Sequence, residues 1–285
     1  MVQARARSYA SFLTLPFRNQ VWRGQTGDHL GAGVGSSLDF QDHRTYVPGD
    51  DPRHINWQAY ARTGNYSMKL FREEVRPLVD IIFDVSDSMF VGDEKETRSL
   101  ELFYFAAEAS TRGTASTAFF FVRGDKHLRL NPDAVFSHAW PTQIETLAPT
   151  EPGMPPDLAS VPLRANSMRI FVSDLLFPGS PAAYTTSLAA RKGRGIIFAP
   201  ASQSESDPGW QGNYEFVDAE SKTHHLNRIE QPLLKRYLDA YRRHFELWKT
   251  YAAKHGVALA RIPAHTPFDK ALQQEALPQR AIEVV

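Results

Sequence analysis

Residues 78–89 read LVDIIFDVSDSM, and this stretch decides the fold. Its first residues are mostly Val, Ile, Leu and Phe, and the run is too short for an average helix but typical of a buried parallel strand. The apolar run leads directly into Asp84, Ser86, Asp87 and Ser88. In an open α/β sheet, ligands bind at the carboxyl ends of such strands. We therefore take residues 84–88, the Asp84 loop, as the candidate functional site.

Beyond this strand, which we predict over 79–85, apolar runs of strand length alternate with segments of helical periodicity. The predicted strands lie at 118–122, 127–130, 169–173, 195–199 and 257–262. The predicted helices lie at 101–111, 136–147, 181–191 and 230–255. This alternation predicts an α/β fold with a mostly parallel central sheet and helices on both of its faces.

The remaining segments flank this block. A further strand is predicted at 66–75, and residues 202–213 read as a surface loop. We predict three parts: an N-terminal extension over 1–77 that packs on the main domain, the α/β domain over 78–265, and a C-terminal tail over 266–285. The tail is polar, so we expect it to be loosely ordered.

The composition is typical of a globular protein and excludes several functional classes. Of the 285 residues, 42% are hydrophobic, and 32 basic residues balance 32 acidic ones. The balanced charge provides no positive field for nucleic acid. The absence of cysteine excludes disulfides, thiolate nucleophiles and Cys-ligated metal sites.

The apolar runs are also short. No stretch reaches the roughly 20 apolar residues that a spanning helix needs. Ser, Thr and Pro interrupt the apolar residues near the N-terminus, which argues against a signal peptide. We therefore expect a cytoplasmic protein without a transmembrane segment.

The Asp84 loop offers oxygen ligands for a metal ion. The carboxylate of Asp84 and the hydroxyls of Ser86 and Ser88 suit a hard cation such as Mg²⁺, with Mn²⁺ or Ca²⁺ as substitutes. Asp174 follows another predicted strand, so it reaches the same edge of the sheet. In the alternative interpretation, Asp84 and Ser88 accept hydrogen bonds from backbone amides and only shape the turn. The residues alone leave both interpretations open.

Two motifs resemble known families. The Asp84 loop with Met89 behind it, and Asp174 in the sequence Phe-Val-Ser-Asp, resemble the metal-ion-dependent adhesion site of von Willebrand factor type A domains. Upstream, residues 40–57 fit the pattern FxxxRxYxPGDDxRxINW, and residues 61–64 read ARTG. This longer pattern resembles the signature of the domain of unknown function 58 family, and it is far more specific than the loop.

The resemblance implies a fold, a site and partners. It implies a von Willebrand factor A-like domain whose partial metal site comprises Asp84, Ser86, Ser88 and Asp174. In adhesion domains a partner's carboxylate completes the metal coordination, so the resemblance implies a docking site for proteins and no enzymatic activity. It also implies a bacterial protein that works with a MoxR-type AAA+ ATPase in the assembly or maturation of an unknown client protein.

Charged residues near the loop and in the upstream signature are candidates for partner binding. We expect Asp87, Arg53 and Arg62 to contribute to it. The Arg-rich signature also contains many acidic residues, and charges mixed at this density often pair with each other instead.

The sequence departs from the adhesion-site pattern. Where a threonine is expected, this chain has Pro155-Pro156, and proline offers no side-chain oxygen. Thr150 lies nearby as a substitute. In the upstream signature Asn56 stands where Asp is usual, which removes one negative charge.

Two other functions fit the same residues. One is a metal-dependent hydrolase at the same sheet edge, for which Ser88 would need a base such as His54 or His127. The sequence contains no His-Glu-x-x-His, Gly-x-Ser-x-Gly or Walker pattern, so this alternative has little support. The other is a purely structural subunit.

Overall fold

The computed structural model describes residues 2–18, 25–34 and 40–285, and the chain divides into two compact units. Residues 18–77 form one unit, and residues 1–17 together with 78–285 form the other, the main unit. The chain begins in the main unit with helix α1 (Val2–Tyr9) and strand β1 (Leu13–Thr14).

The unit of residues 18–77 contains a three-stranded antiparallel sheet in the order β2-β4-β3. Its elements are β2 (Gln25–Val34), β3 (Phe40–Thr45), α2 (Trp57–Thr63) and β4 (Ser67–Arg76). The Asn56 side chain caps α2 by accepting a hydrogen bond from the Ala59 amide at 3.1 Å. Gly64, at φ +72°, ends the helix in the left-handed conformation that glycine favours. The signature residues thus form a short capped helix beside a sheet.

The main unit alternates strands and helices. Its further strands are β5 (Leu78–Asp84), β6 (Ser116–Arg123), β7 (Lys126–Leu130), β8 (Met168–Val172), β9 (Arg194–Ala201), β10 (Gly212–Val217), β11 (His224–Ile229), β12 (Ala258–Pro263) and β13 (Glu283–Val284). Its further helices are α3 (Asp93–Arg112), α4 (Pro132–Phe136), α5 (Pro141–Ile144), α6 (Pro181–Ala189), α7 (Gln203–Ser206), α8 (Gln231–His255) and α9 (Phe268–Ala271).

Six of these strands form the central sheet, in the order β7-β6-β5-β8-β9-β12. All neighbours are parallel except β7, which pairs with β6 in an antiparallel hairpin. The prediction of an α/β fold with a mostly parallel central sheet is therefore confirmed. Taken in chain order, the strands follow the doubly wound pattern 3-2-1-4-5-6, which reverses direction between the first and fourth strands, here β5 and β8.

Helices cover both faces of this sheet. Successive residues of a strand point to opposite sides, so each face of the sheet presents side chains to a layer of helices. On one face Phe83 stacks on Phe103 of α3, with ring centroids 4.7 Å apart. On the other face Ile82 belongs to a core that includes Tyr184 of α6 and Trp248 of α8. The central strand is therefore buried on both sides, as its continuous apolar run predicts.

One predicted helix is wrong. Residues 136–147 do not form a single helix but lie across the two short helices α4 and α5. His138 between them has a φ of +56°, which a helix cannot accommodate. Pro141 then begins α5, since a proline is favoured in the first turn of a helix.

The structure differs from the predicted domain boundaries at both ends of the chain. Residues 1–17 belong to the main unit, where Arg5 of α1 contacts Glu101 of α3 at 2.8 Å. The predicted loose tail is folded: β13 pairs with β1, and the segment before it buries Phe268 and Leu272. Buried Phe268, Ala271, Leu272 and Ala276 recur at helical spacing, which explains why this polar-looking segment packs.

The predicted surface loop at 202–213 also contains structure. Residues 203–206 form α7, which begins with a capping box between Ser202 and Glu205. Of the helices in the described part of the chain, none is both long enough and apolar enough to cross a bilayer.

Candidate functional site

Asp84 ends the central strand β5, and its carboxylate organises the turn that follows. Its Oδ1 accepts a hydrogen bond from the Ser86 amide at 3.0 Å, and its Oδ2 accepts one from the Ser173 hydroxyl at 2.7 Å. The side chain is fully buried. Residues 87–90 then turn in a short 3-10 helix. Asp84 therefore accepts a backbone hydrogen bond as the turn-shaping interpretation predicts, whereas the Ser88 hydroxyl lies 3.2 Å from the Ser86 hydroxyl instead of accepting from an amide.

Burial is the main reason why the pKa of Asp84 rises to about 7, and the nearby charge of Asp174 raises it further. The hydrogen bonds from Ser173 and Ser86 act in the opposite direction because they stabilise the charged form. At neutral pH this carboxyl group is thus close to the midpoint of its titration. The central strand ends in an acid whose charge depends on pH in the physiological range.

Asp174 follows β8 at the same edge, but it faces a lysine. Lys95 of α3 places its Nζ 2.6 Å from Asp174 Oδ2 and 2.5 Å from Glu205 Oε1, and only 2% of the Lys95 side chain is exposed. The other Asp174 oxygen accepts a hydrogen bond from the Leu176 amide at 3.0 Å. Although burial alone would lower the pKa of Lys95, the charges of Asp174 and Glu205 raise it overall. Lys95 is therefore a resident cation at the edge of the sheet.

These contacts determine whether the site fits the divalent cation that the resemblance implies. The hydroxyls of Ser86 and Ser88 lie 3.2 Å apart and could be neighbouring ligands, but Asp174 is already neutralised by the Lys95 ammonium group. In the described part of the chain no three His, Asp or Glu side chains gather into a group that could hold a metal. The residues therefore do not fit a cation held by both acids.

Thr150, the substitute for the expected threonine, does not supply the third hydroxyl of the site either. Pro155 and Pro156 line a cavity of about 400 Å³. Thr150 donates its hydroxyl to Asp125 Oδ2 at 2.6 Å and its amide to Asp125 Oδ1 at 2.8 Å. Thr150 thus fastens the turn between β6 and β7.

The same cavity contains Tyr184 of α6 in its wall. Burial raises the pKa of Tyr184, and the charges of Asp84 and Asp157 add to this effect. The tyrosine in this wall therefore stays neutral at physiological pH.

The Asp84 loop does hold a carboxylate, supplied by a distant part of the chain. The Ser88 amide donates to Glu220 Oε1 at 2.8 Å, and Glu220 lies in the turn between β10 and β11. Asp87 is paired with Arg123 of β6 and with Lys222, whose Nζ lies 3.0 Å from Asp87 Oδ2. The structure thus brings Asp84, Ser86, Asp87, Ser88 and Asp174 to one edge of the sheet.

The other two predicted partner-binding residues belong to the unit of residues 18–77. Arg53 is exposed and lies 2.6 Å from Asp51. Arg44 pairs in the same way with Asp50 at 2.6 Å. For these two arginines the prediction of pairing within the signature is confirmed. Arg62 is exposed in the last turn of α2.

Several site residues are missed by sequence reasoning. Lys95 stands in the run Asp-Glu-Lys-Glu, which reads as a solvated first turn of a helix. Glu205, Glu220 and Lys222 lie in a stretch rich in Ser, Asp and Gly. The capping of a helix by Glu205 could have been predicted, since Ser202 with Glu three positions later fits a capping box. No local pattern connects Glu220 with Ser88.

These features define an α/β protein with a polar site where the strand order of a mostly parallel sheet reverses. A family model described as "Protein of unknown function DUF58" matches residues 42–246, more than half of the chain. The chain belongs to this family.

Among solved structures, the chain is similar to an aerotolerance-related membrane protein from Bacteroides fragilis NCTC 9343 that carries multiple mutations to serines. The two share 11% identity, the alignment covers 72% of this chain and 98% of the other, and the TM-score is 0.36. A likeness this weak carries no argument about function. A search of curated proteins gave no significant match.

Proposed function

We propose that this protein is a non-enzymatic interaction module that docks an acidic side chain of a partner protein on the Asp84 loop. The observation that carries the proposal is the hydrogen bond from the Ser88 amide to the Glu220 carboxylate. Backbone amides at the start of a helix favour negative groups, and a bond to a carboxylate is stronger than one between neutral groups. The loop therefore has the chemistry of a carboxylate receptor.

The position of the loop supports the proposal. In open α/β sheets, ligands bind where the strand order reverses, and the Asp84 loop lies at that point between β5 and β8. The same location is what the resemblance to von Willebrand factor A domains implies for the partner site. In this chain a backbone amide takes the role that a metal ion has in those domains.

The identity of the partner comes from the family resemblance alone. We propose a MoxR-type AAA+ ATPase as the associate and a client protein that the pair assembles or matures. The acidic group that docks belongs to one of these two proteins.

The test is a binding measurement with the ATPase and with its client. Ser88→Glu places a second carboxylate at the receptor, so we expect partner affinity to fall at least tenfold, which corresponds to about 1.4 kcal/mol. Ser137→Glu, at an exposed position after α4, adds the same charge elsewhere and serves as the matched control. Equal binding by the parent and both variants would refute the proposal.

A second measurement addresses the metal. Because the proposed docking uses an amide, we expect partner binding to persist in the presence of EDTA. Calorimetric titration with Mg²⁺ or Mn²⁺ should give no specific heat in the parent protein. A saturable heat that disappears in Asp84→Ala would show instead that the loop holds a divalent cation.

A further inference from the structure

We infer that the Asp84 loop is a two-point receptor for a Glu-x-Lys segment, and that the tip of the β10–β11 hairpin occupies this receptor within the same chain. The tip comprises residues 218–223 and connects the two strands. The inference rests on the proposed function, since it specifies the chemistry of the segment that docks on the loop.

The first point of the receptor is the amide of Ser88. It donates to Glu220 Oε1 at 2.8 Å, although the two residues lie 132 positions apart. Ser88 is the second residue of a 3-10 helix whose N-cap, Ser86, accepts no capping hydrogen bond from a backbone amide of the helix. An amide at this position lacks a partner inside the helix. Glu220 satisfies it, and the carboxylate of another protein can satisfy it in the same way.

The second point is the carboxylate of Asp87. Lys222 Nζ lies 3.0 Å from Asp87 Oδ2, while Arg123 holds the other carboxylate oxygen. The Lys222 side chain is 64% exposed, so this ion pair contributes little affinity by itself. It does fix the register, because the cation must follow the docked glutamate by two residues. This spacing distinguishes a Glu-x-Lys segment from any other acidic segment.

The tip is preorganised to present both side chains. Asp218 Oδ1 accepts hydrogen bonds from the Ser221 amide at 2.7 Å and from the Glu220 amide at 3.1 Å. These bonds lower the pKa of Asp218, and the bond from the Ser221 amide has the largest effect. Asp218 therefore remains charged at neutral pH. The turn therefore holds its shape independently of the receptor, and a partner segment needs a similar turn to compete with it.

The rest of the hairpin is able to release the tip at small cost. Five of the six residues of β11 are exposed, and 81% of Leu226 is accessible to solvent. Little further apolar surface meets water when the tip leaves the loop. A competing segment therefore has to replace one strong hydrogen bond and one exposed ion pair.

The experiment frees the receptor and then offers it the tip as a separate molecule. Glu220→Ala/Lys222→Ala removes the occupant, and Glu215→Ala/Arg228→Ala removes two charges from exposed positions of the same hairpin as the matched control. The probe is a labelled synthetic peptide of residues 212–229, measured by fluorescence anisotropy. We expect the first variant to bind the peptide at least tenfold more tightly than the parent and the control variant do.

Peptide variants test the two points of contact. A peptide in which Gln replaces both Glu220 and Lys222 should lose at least tenfold in affinity for the freed receptor. Adding Asp87→Ala to the freed receptor should abolish the preference for a lysine in the peptide. Equal binding of all peptides, or equal binding by the parent and the freed receptor, would overturn the inference.

Amide exchange of Ser88 provides a measurement that needs no partner. Removing the Glu220 carboxylate exposes this amide, so its exchange should accelerate roughly tenfold in Glu220→Ala and stay unchanged in Glu215→Ala. Unchanged exchange in Glu220→Ala would show that the tip does not occupy the loop. A concentration-dependent dimer of the parent that Glu220→Ala/Lys222→Ala disrupts would place the tip on a second copy and overturn occupancy within one chain.

Binding of the ATPase and client separates this inference from the proposed function. If Ser88→Glu abolishes binding and Glu220→Ala/Lys222→Ala leaves it unchanged, the docking site stands and the role of the tip is wrong. If neither variant changes binding, the proposed function fails, and the peptide affinities alone decide what the loop accepts.

Discussion

Lys95→Met is the substitution that most directly tests the charge arrangement behind the Asp84 loop. The variant keeps an unbranched side chain of similar length but removes the cation that lies 2.6 Å from Asp174 and 2.5 Å from Glu205. Asp174 is only 1% exposed, so it cannot replace the lost partner with bulk water. We expect a large loss of stability from this single change.

The magnitude follows from the burial of the pair. Removing one partner of a buried ion pair costs about 3–5 kcal/mol, because the remaining charge stays desolvated. Glu205, at 22% exposure, reaches solvent and contributes little to this cost.

The assay is urea unfolding of the parent, Lys95→Met and Lys95→Met/Asp174→Asn at neutral pH. The double variant should recover part of the loss, since it contains no uncompensated carboxylate at this position. Lys249→Met, at an exposed position of α8, is the matched control and should change the free energy of unfolding by less than about 0.5 kcal/mol. A loss below about 1 kcal/mol in Lys95→Met would refute the view that Lys95 is a buried resident cation.

Three further substitutions test other parts of the structure. Because the pKa of Asp84 is raised to about 7, this group binds more protons in the folded state than in the unfolded state between about pH 4 and pH 7, so its contribution to the stability of the parent falls across this window as pH rises. Asp84→Asn should remove up to about 4 kcal/mol of this dependence, and parallel pH profiles of parent and variant in urea unfolding would contradict the raised pKa. Leu272→Ala should cost about 2–5 kcal/mol because Leu272 is fully buried in the C-terminal segment, whereas a loose tail would show no change. Asn56→Ala should cost about 1 kcal/mol through loss of the α2 cap, seen as faster amide exchange in residues 57–63 and not in the central sheet.

The central sheet was predictable because its signals are local. The run of Val, Ile and Phe over β5 and the acid at its end identify a buried strand whose polar end faces an edge. Asp174 repeats this design after β8, and because the two strands run parallel, their carboxyl ends lie at the same edge of the sheet. The candidate loop and its second acid therefore follow from pattern and topology together.

The charged residues that complete the site were not predictable, because only the tertiary fold brings each of them to the site. Lys95 lies in the first turn of α3 among three acidic residues, and only the packing of that turn over Asp174 buries it. Glu220 reaches Ser88 because a hairpin inserted between β9 and α8 folds back over the loop. Contacts over 79 and 132 positions leave no periodic trace in the sequence.

If a partner docks at this edge as proposed, the resident lysine and the resident glutamate together determine how docking is controlled. A site that depends on a metal ion is switched by ion concentration, and its ligands must remain charged to hold the ion. Here Lys95 is a permanent part of the chain, and the carboxylate receptor is a backbone amide that does not titrate. In the proposed mode of docking, control comes from competition for that amide, which Glu220 occupies in the structure. We therefore expect the sequence and local concentration of a partner's acidic turn, rather than the supply of a cofactor, to set occupancy of the loop.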